Sequence, residues 1–319
     1  MSHSPLRIAT RASRLALWQA NHVAELLRQR RPDRPVDVVP VSTLGDRDKA
    51  EPLERLGGEG VFTREIQRAV LDNLADVAVH SLKDLPTQPC AGLTLAAVPL
   101  RASDRDALVL PQSARAERRG SAENILSSLS PGARIGTGSP RRRAQLLHVR
   151  SDLQMRDVRG NVETRLAKLD GGEYDALVLA EAGLRRLGLD PRISALLGPP
   201  LMFPAVGQGA LGIECRDDDD AAVAALAEIS DEATAAGVRA ERRLRAALRA
   251  GCHAPRGVCS QLEAGQLRLE AVVLSTDGKE RLVFAATGSV DAPESLGNAV
   301  AEELAAMGAG RLVDPPGTG

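Results

Sequence analysis

Short apolar runs of strand length alternate with stretches of helical spacing along most of this chain, and that alternation commits it to mostly parallel sheets covered by helices. LRIAT, residues 6–10, reads as a buried strand. Ala16, Ala20, Val23 and Leu27 then recur at helical spacing until Pro32 stops the helix. VDVVPVS supplies a second strand, FTREIQRAVLDN a helix with Phe62, Ile66 and Val70 on one face, and ADVAVHSL and LTLAAVP two further strands. After RASDRDALVLP and the polar stretch QSARAERRGSAEN the series starts again: strand ARIGT, a helix from Pro140, strand LQMRDV, helix VETRLAKL and strand DALVLA.

One strand has no unit of its own. ALGIEC, residues 210–215, follows the Pro/Gly-rich passage GPPLMFPAVGQG and is expected to rejoin the first sheet, so that the chain crosses twice between two lobes. Such a double crossing forms a hinge with a ligand cleft between the lobes. The alanine-rich run RDDDDAAVAALAEISDEATAAGVRAERRLRAAL reads as helical, its acidic start suited to a helix N-terminus. VCSQLEA, QLRLEAVVLS and RLVFAATGS then give three strands and ESLGNAVAEELAAM a closing helix, a small α+β domain. The boundaries expected are residues 1–103 with 205–221 for the first domain, 104–204 for the second and 222–319 for the third.

Composition narrows the partners. A chain of 319 residues has room for two or three cores. A formal net charge of −1 and an aromatic content of 2% leave neither the basic excess nor the stacking surface that nucleic acid requires, so none is expected. No apolar run approaches a bilayer span and MSHSPLRIATRAS lacks a signal-type core, so the expectation is a cytoplasmic protein without a membrane partner; a monomer is expected, although no residue pattern fixes the oligomeric state. The cysteines, at 90, 215, 252 and 259, have no metal-ligand spacing, and no metal is expected.

The charged motifs cluster where strands end, the position at which open α/β sheets bind ligands. HSLKDLP places Lys83 and Asp84 side by side at the end of ADVAVHSL; alone, that pair reads equally as two solvated loop charges. GTGSPRRRAQLL is more specific. Ser139 is a natural N-cap, Pro140 suits the first helical position, and Arg141 and Arg142 add guanidinium forks to an N-terminus that already favours anions. Three consecutive arginines cannot all face one site, so one of them belongs to the surface. DVRGNVETRL repeats the arrangement with Arg159, Asn161 as cap and Arg165, and TRASRLA adds Arg11, Ser13 and Arg14 after the first strand. Without a GxxxxGK[ST] loop or a GxGxxG turn with its downstream acid, carboxylates fit these cations better than nucleotide phosphates do. Cys252, in AGCHAP, lies on a turn where a structural thiol is out of place. A catalytic thiol would need a base, and the adjacent His253 is poorly placed for that; a covalent anchor remains.

Taken together, TRASRLALWQA, GGEGVFTREI, ADVAVHSLKDLP, GTGSPRRRAQL, DVRGNVETRL, YDALVLAEAGLRRLGL, PAVGQGALGIECR and AERRLRAALRAGCHAP closely resemble the porphobilinogen deaminase (hydroxymethylbilane synthase) family, in its order, over nearly the whole chain. The resemblance implies an α/β protein of two periplasmic-binding-protein-like lobes with a doubly crossed hinge, plus a small α+β C-terminal domain. It implies a transferase of haem and tetrapyrrole biosynthesis that condenses four porphobilinogen molecules and releases ammonia each time. It also implies a dipyrromethane cofactor, built from substrate and held by thioether to Cys252. By the same resemblance Asp84 is the catalytic aspartate. Lys83, Asp84, Ser13, Ser139, Arg141, Arg142, Arg159 and Gln208 join Cys252 in holding the cofactor, and Arg11, Arg159 and Arg165 bind substrate.

The carry-over has departures. Glu59 and Arg64 stand where the family commonly has Lys, Gly138 and Pro140 replace the usual Ser and Leu, and Ala250 and His253 replace Gly and Gln. Three other readings compete with it. A two-lobed solute-binding protein would share the double crossing but needs neither Cys252 nor a third domain; a Cys-dependent hydrolase would keep an alkylatable thiol at Cys252, whereas one in thioether linkage cannot react; a dinucleotide-dependent oxidoreductase lacks its fingerprint.

Overall fold

A computed structural model describes residues 4–42, 60, 63–114, 120–248 and 255–313. The strands are β1 (Leu6–Arg11), β2 (Val36–Val41), β3 (Val77–Ser81), β4 (Leu93–Ala97), β5 (Asp106–Val109), β6 (Arg134–Gly136), β7 (Gln154–Arg156), β8 (Ala176–Ala180), β9 (Ala195–Leu197), β10 (Leu211–Arg216), β11 (Arg256–Glu263), β12 (Gln266–Leu274) and β13 (Arg281–Ser289). The helices are α1 (Arg14–Arg30), α2 (Arg64–Leu71), α3 (Ala122–Ser128), α4 (Pro140–Val149), α5 (Val162–Asp170), α6 (Glu181–Arg186), α7 (Asp220–Ala227), α8 (Glu232–Ala247), α9 (Pro293–Ala306) and α10 (Ala309–Val313).

The chain forms two compact units, Met1–Ala102 with Gly209–Ala235, and Ser103–Gln208 with Ala236–Gly319. Each carries a five-stranded sheet of one design. The orders are β2-β1-β3-β10-β4 and β7-β6-β8-β5-β9: three parallel strands with the first-formed in the middle, then an antiparallel strand, then an edge. The two antiparallel strands account for both crossings. β5 opens the second unit, and β10, the ALGIEC segment, brings the chain back to the first by pairing with β3 and β4.

Burial follows the spacing read from the sequence. Ala20, Val23 and Leu27 of α1 pack with Leu6, Ile8, Val77, Val79 and Ile213 of the sheet, and Ile66 and Val70 of α2 are fully buried; Phe62 lies outside the described residues. The second unit has its own aliphatic core around Leu108, Ile135, Leu146 and Val178. It also holds the antiparallel meander β11-β12-β13, covered by α8, α9 and α10 through Leu244, Val300, Leu304 and Leu312.

Three details differ from the sequence reading. The alanine-rich run is two helices: Asp219 accepts a hydrogen bond from Ala222 N at 2.9 Å to cap α7, and Asp231 accepts one from Thr234 N at 2.8 Å to cap α8. Ala222, Leu226 and Ile229 pack in the first unit's core, so that unit continues past residue 221 to Ala235. The polar stretch before ARIGT conceals α3, capped by Ser121.

Candidate active site

In the first unit the site is built on the carboxyl ends of β1 and β3. These strands are parallel neighbours, with Ile8 opposite Val77 and Ala9 opposite Ala78, so the residues that follow them emerge together. Arg11 ends β1. Ser13, two residues on, caps α1 by accepting a hydrogen bond from Ala16 N at 3.3 Å. After β3 the chain makes a single 3₁₀ turn, Leu82–Asp84. Leu82 and Leu85 are buried while Asp84 between them is exposed and Lys83 half-buried. The turn is tied down by its apolar flanks and by Leu82 N donating to Ala210 O at 3.1 Å. Buried Gln19 of α1 also donates to Ser81 Oγ at 2.7 Å. The carboxylate of Asp84 is thereby carried on an anchored frame at a strand end.

Below that turn lies a polar group that the sequence reading missed. His80 Nε2 is 3.1 Å from Glu214 Oε2, and Gln67 Nε2 donates to the same oxygen at 2.9 Å; all three side chains are buried.

In the second unit the equivalent edge is formed by β6, β7 and β8. The last residue of β6 is Gly136, where a Cβ would lie 2.3 Å from Leu177 Cδ2 and 2.8 Å from Tyr174 Cδ1. Ser139 then caps α4, its Oγ accepting from Arg142 N at 3.5 Å, with Pro140 at the first position. After β7, Arg159 is exposed, Asn161 accepts from Thr164 N at 2.8 Å to cap α5, and half-buried Arg165 donates from Nε to Gly160 O at 2.8 Å. Arg143 is the surface member of the arginine triplet and pairs with Asp157 at 3.1 Å.

Arg141, Arg142 and Gln208 come together on a residue absent from the sequence-derived set, Asp106. Arg141 Nη1 donates to Asp106 Oδ2 at 2.7 Å. Arg142 donates to Oδ1 from Nε at 3.0 Å and from Nη2 at 2.7 Å, and Gln208 Nε2 donates to Oδ1 at 3.0 Å. Asp106 is wholly buried; burial opposes its charge, but Arg141 and Arg142 outweigh it and hold the carboxyl down at about 2. For Arg141 burial is the larger influence and lowers its pKa against the pull of Asp106. Arg186, on α6, was likewise not singled out; burial brings its guanidinium down to about 10.

Cys252, Glu59, Ala250 and His253 lie outside the described residues. The three described thiols are poor nucleophiles: burial raises Cys90, and lifts Cys215 to about 11 and Cys259 to about 12. Among the described residues no cluster of His, Cys, Asp and Glu could hold a metal ion, and no helix is long and apolar enough to cross a membrane.

The donor set of the second unit suits a pyrrole cofactor rich in carboxylates, with arginines at two successive strand ends of one sheet. Comparison with known proteins agrees. A family model described as "Porphobilinogen deaminase, dipyromethane cofactor binding domain" matches residues 6–224, and one described as "Porphobilinogen deaminase, C-terminal domain" matches residues 235–306. A porphobilinogen deaminase of Maridesulfovibrio salexigens is 43% identical over 309 residues, 97% of this chain and 97% of that one. One of Pelobacter propionicus is 45% identical over 308 residues, 97% and 96% of the two chains. Similar solved structures include a periplasmic domain of BvgS from Bordetella pertussis (13% identity, 70% of this chain and 86% of that, TM-score 0.40) and an arginine-transport periplasmic binding protein from Legionella pneumophila (14%, 71% and 92%, TM-score 0.40). On the family models and the full-length relatives, the chain belongs to the porphobilinogen deaminase family.

Proposed function

We propose that this protein joins four porphobilinogen molecules head to tail, releasing one ammonia per addition, and frees the linear tetrapyrrole hydroxymethylbilane from its primer by hydrolysis with one water, with Asp84 as its catalytic residue. The position of Asp84 carries the assignment: an exposed carboxylate at a strand end, fixed between two buried leucines. As the carbon–nitrogen bond of the substrate's aminomethyl group breaks, Asp84 stabilises the positive charge left on the pyrrole. It also assists proton delivery to the departing amine, and it helps remove the ring proton once the new carbon–carbon bond has formed.

A dipyrromethane primer, when held by thioether to Cys252, would supply the free pyrrole carbon for chain growth. Lys83, Ser13, Ser139, Arg141, Arg142, Arg159 and Gln208 would hold it. Arg11, Arg159 and Arg165 would bind the acetate and propionate groups of incoming substrate, since guanidinium forks match carboxylates in geometry and charge. The protein acts as a cytoplasmic monomer organised as two α/β lobes and a small C-terminal domain; the separate match of residues 235–306 to a C-terminal domain supports that division.

The test is Asp84→Ala. Turnover of porphobilinogen should fall by about 10²- to 10³-fold with the fold intact by circular dichroism. Full turnover in that variant overturns the assignment.

A further inference from the structure

Two adjacent buried arginines repel each other and need a counter-charge. Asp106 supplies it because of sheet register: β5 runs antiparallel to β8 with Asp106 opposite Ala180, so the first residue of β5 lies at the carboxyl edge of the parallel strands, where α4 begins. Each nitrogen of Arg142 is engaged there, Nε and Nη2 with Asp106 and Nη1 with Val178 O at 3.0 Å, which leaves one further N–H on each Nη. Arg141 is committed only in part. Its Nη1 is shared between Asp106 and Phe203 O, whereas its buried Nε has no hydrogen-bond partner among the described residues.

We infer that Asp106 is a positioning residue for the anion site: its carboxylate orients Arg141 and Arg142 and cancels one of their two charges, so that the pair offers a single fixed positive charge to a ligand carboxylate. The inference rests on the proposal that this pair holds primer carboxylates. Asp106 itself touches neither primer nor substrate; it acts through the guanidiniums. Gln208, donating to both Asp106 Oδ1 and Asp104 O, holds the acid from a third side.

The experiment compares full-length Asp106→Asn, Arg142→Gln and the double variant, purified alike, by the fraction of folded chain that carries primer in intact-mass spectra. Asp106→Asn keeps the shape and removes the charge, and should lower that fraction about tenfold, a coupling typical of contacting groups. The double variant returns the site to the single net positive charge of the unsubstituted protein and should load at least as much primer as Arg142→Gln, which leaves no net charge. Folded Asp106→Asn carrying primer at the unsubstituted level overturns the inference. Should Asp106→Asn not fold, the double variant decides: loading at or above that of Arg142→Gln supports the role, and loading about tenfold below it overturns it. The underlying reading fails separately, through an Arg141→Leu variant that still carries primer in full.

Discussion

Arg142 meets a single oxygen of Asp106 with two of its nitrogens, Nε at 3.0 Å and Nη2 at 2.7 Å, and both side chains are buried. An ion pair held in this way is stabilising only while the acid is charged. The folded-state value of Asp106, about 2, lies below the ordinary carboxylate value of about 3.9. Its contribution is therefore complete above about pH 4 and lost as the pH falls toward 2.

Urea unfolding between those limits should show the unsubstituted protein losing about 2 kcal/mol that Asp106→Asn does not lose, because the variant has no proton to take up at that site. At neutral pH the variant should itself be less stable by about 3–5 kcal/mol, since two buried guanidiniums have lost their partner. Parallel acid limbs in the two proteins would contradict the assignment of charge to Asp106.

Gly212 controls the turn that bears Asp84. It pairs with His80 across β10 and β3, and a Cβ at this position would lie 2.5 Å from Leu82 Cδ1. Gly212→Ala must displace Leu82, one of the two apolar anchors of the turn. The expected cost is about 1–3 kcal/mol of stability. The kinetic signature should be a fall in kcat larger than the rise in KM, and wild-type kinetics in the variant would show that the anchor does not position Asp84.

Arg165 is half-buried, and its described bond is to the carbonyl of Gly160 in its own loop. Arg165→Met should leave the thermal midpoint close to that of the parent. Loss of one charge-assisted contact of about 1.5–3 kcal/mol should lower kcat/KM for porphobilinogen about 10- to 100-fold, with weaker dependence on salt. Steady-state kinetics at two ionic strengths check both effects.

What was legible in the sequence was periodic or local. The burial of Ala20, Val23 and Leu27, the caps at Ser13, Ser139 and Asn161, and the return of ALGIEC to the first sheet follow from spacing and from side chains that reach only their own helix. Asp106 was not legible, because an acid opening the strand DALV looks like a loop charge until the register with β8 is known. Arg141 and Arg142 stood out as anion ligands, but sequence spacing cannot reveal that their first anion belongs to the protein itself. His80 and Glu214 were hidden for the same reason: they lie on strands distant in sequence, and their approach at 3.1 Å depends on β3 and β10 being neighbours. The break at Ser230–Asp231 was masked by alanine, whose helical preference runs through both flanking segments.

The most direct test of the whole account is the intact mass of active, purified full-length protein, read together with its colour in acidic dimethylaminobenzaldehyde, which turns pyrroles pink. The account predicts a mass above that of the polypeptide by one dipyrromethane, a pink product, and the loss of both in Cys252→Ser. Active enzyme with the unmodified mass and no colour would contradict it.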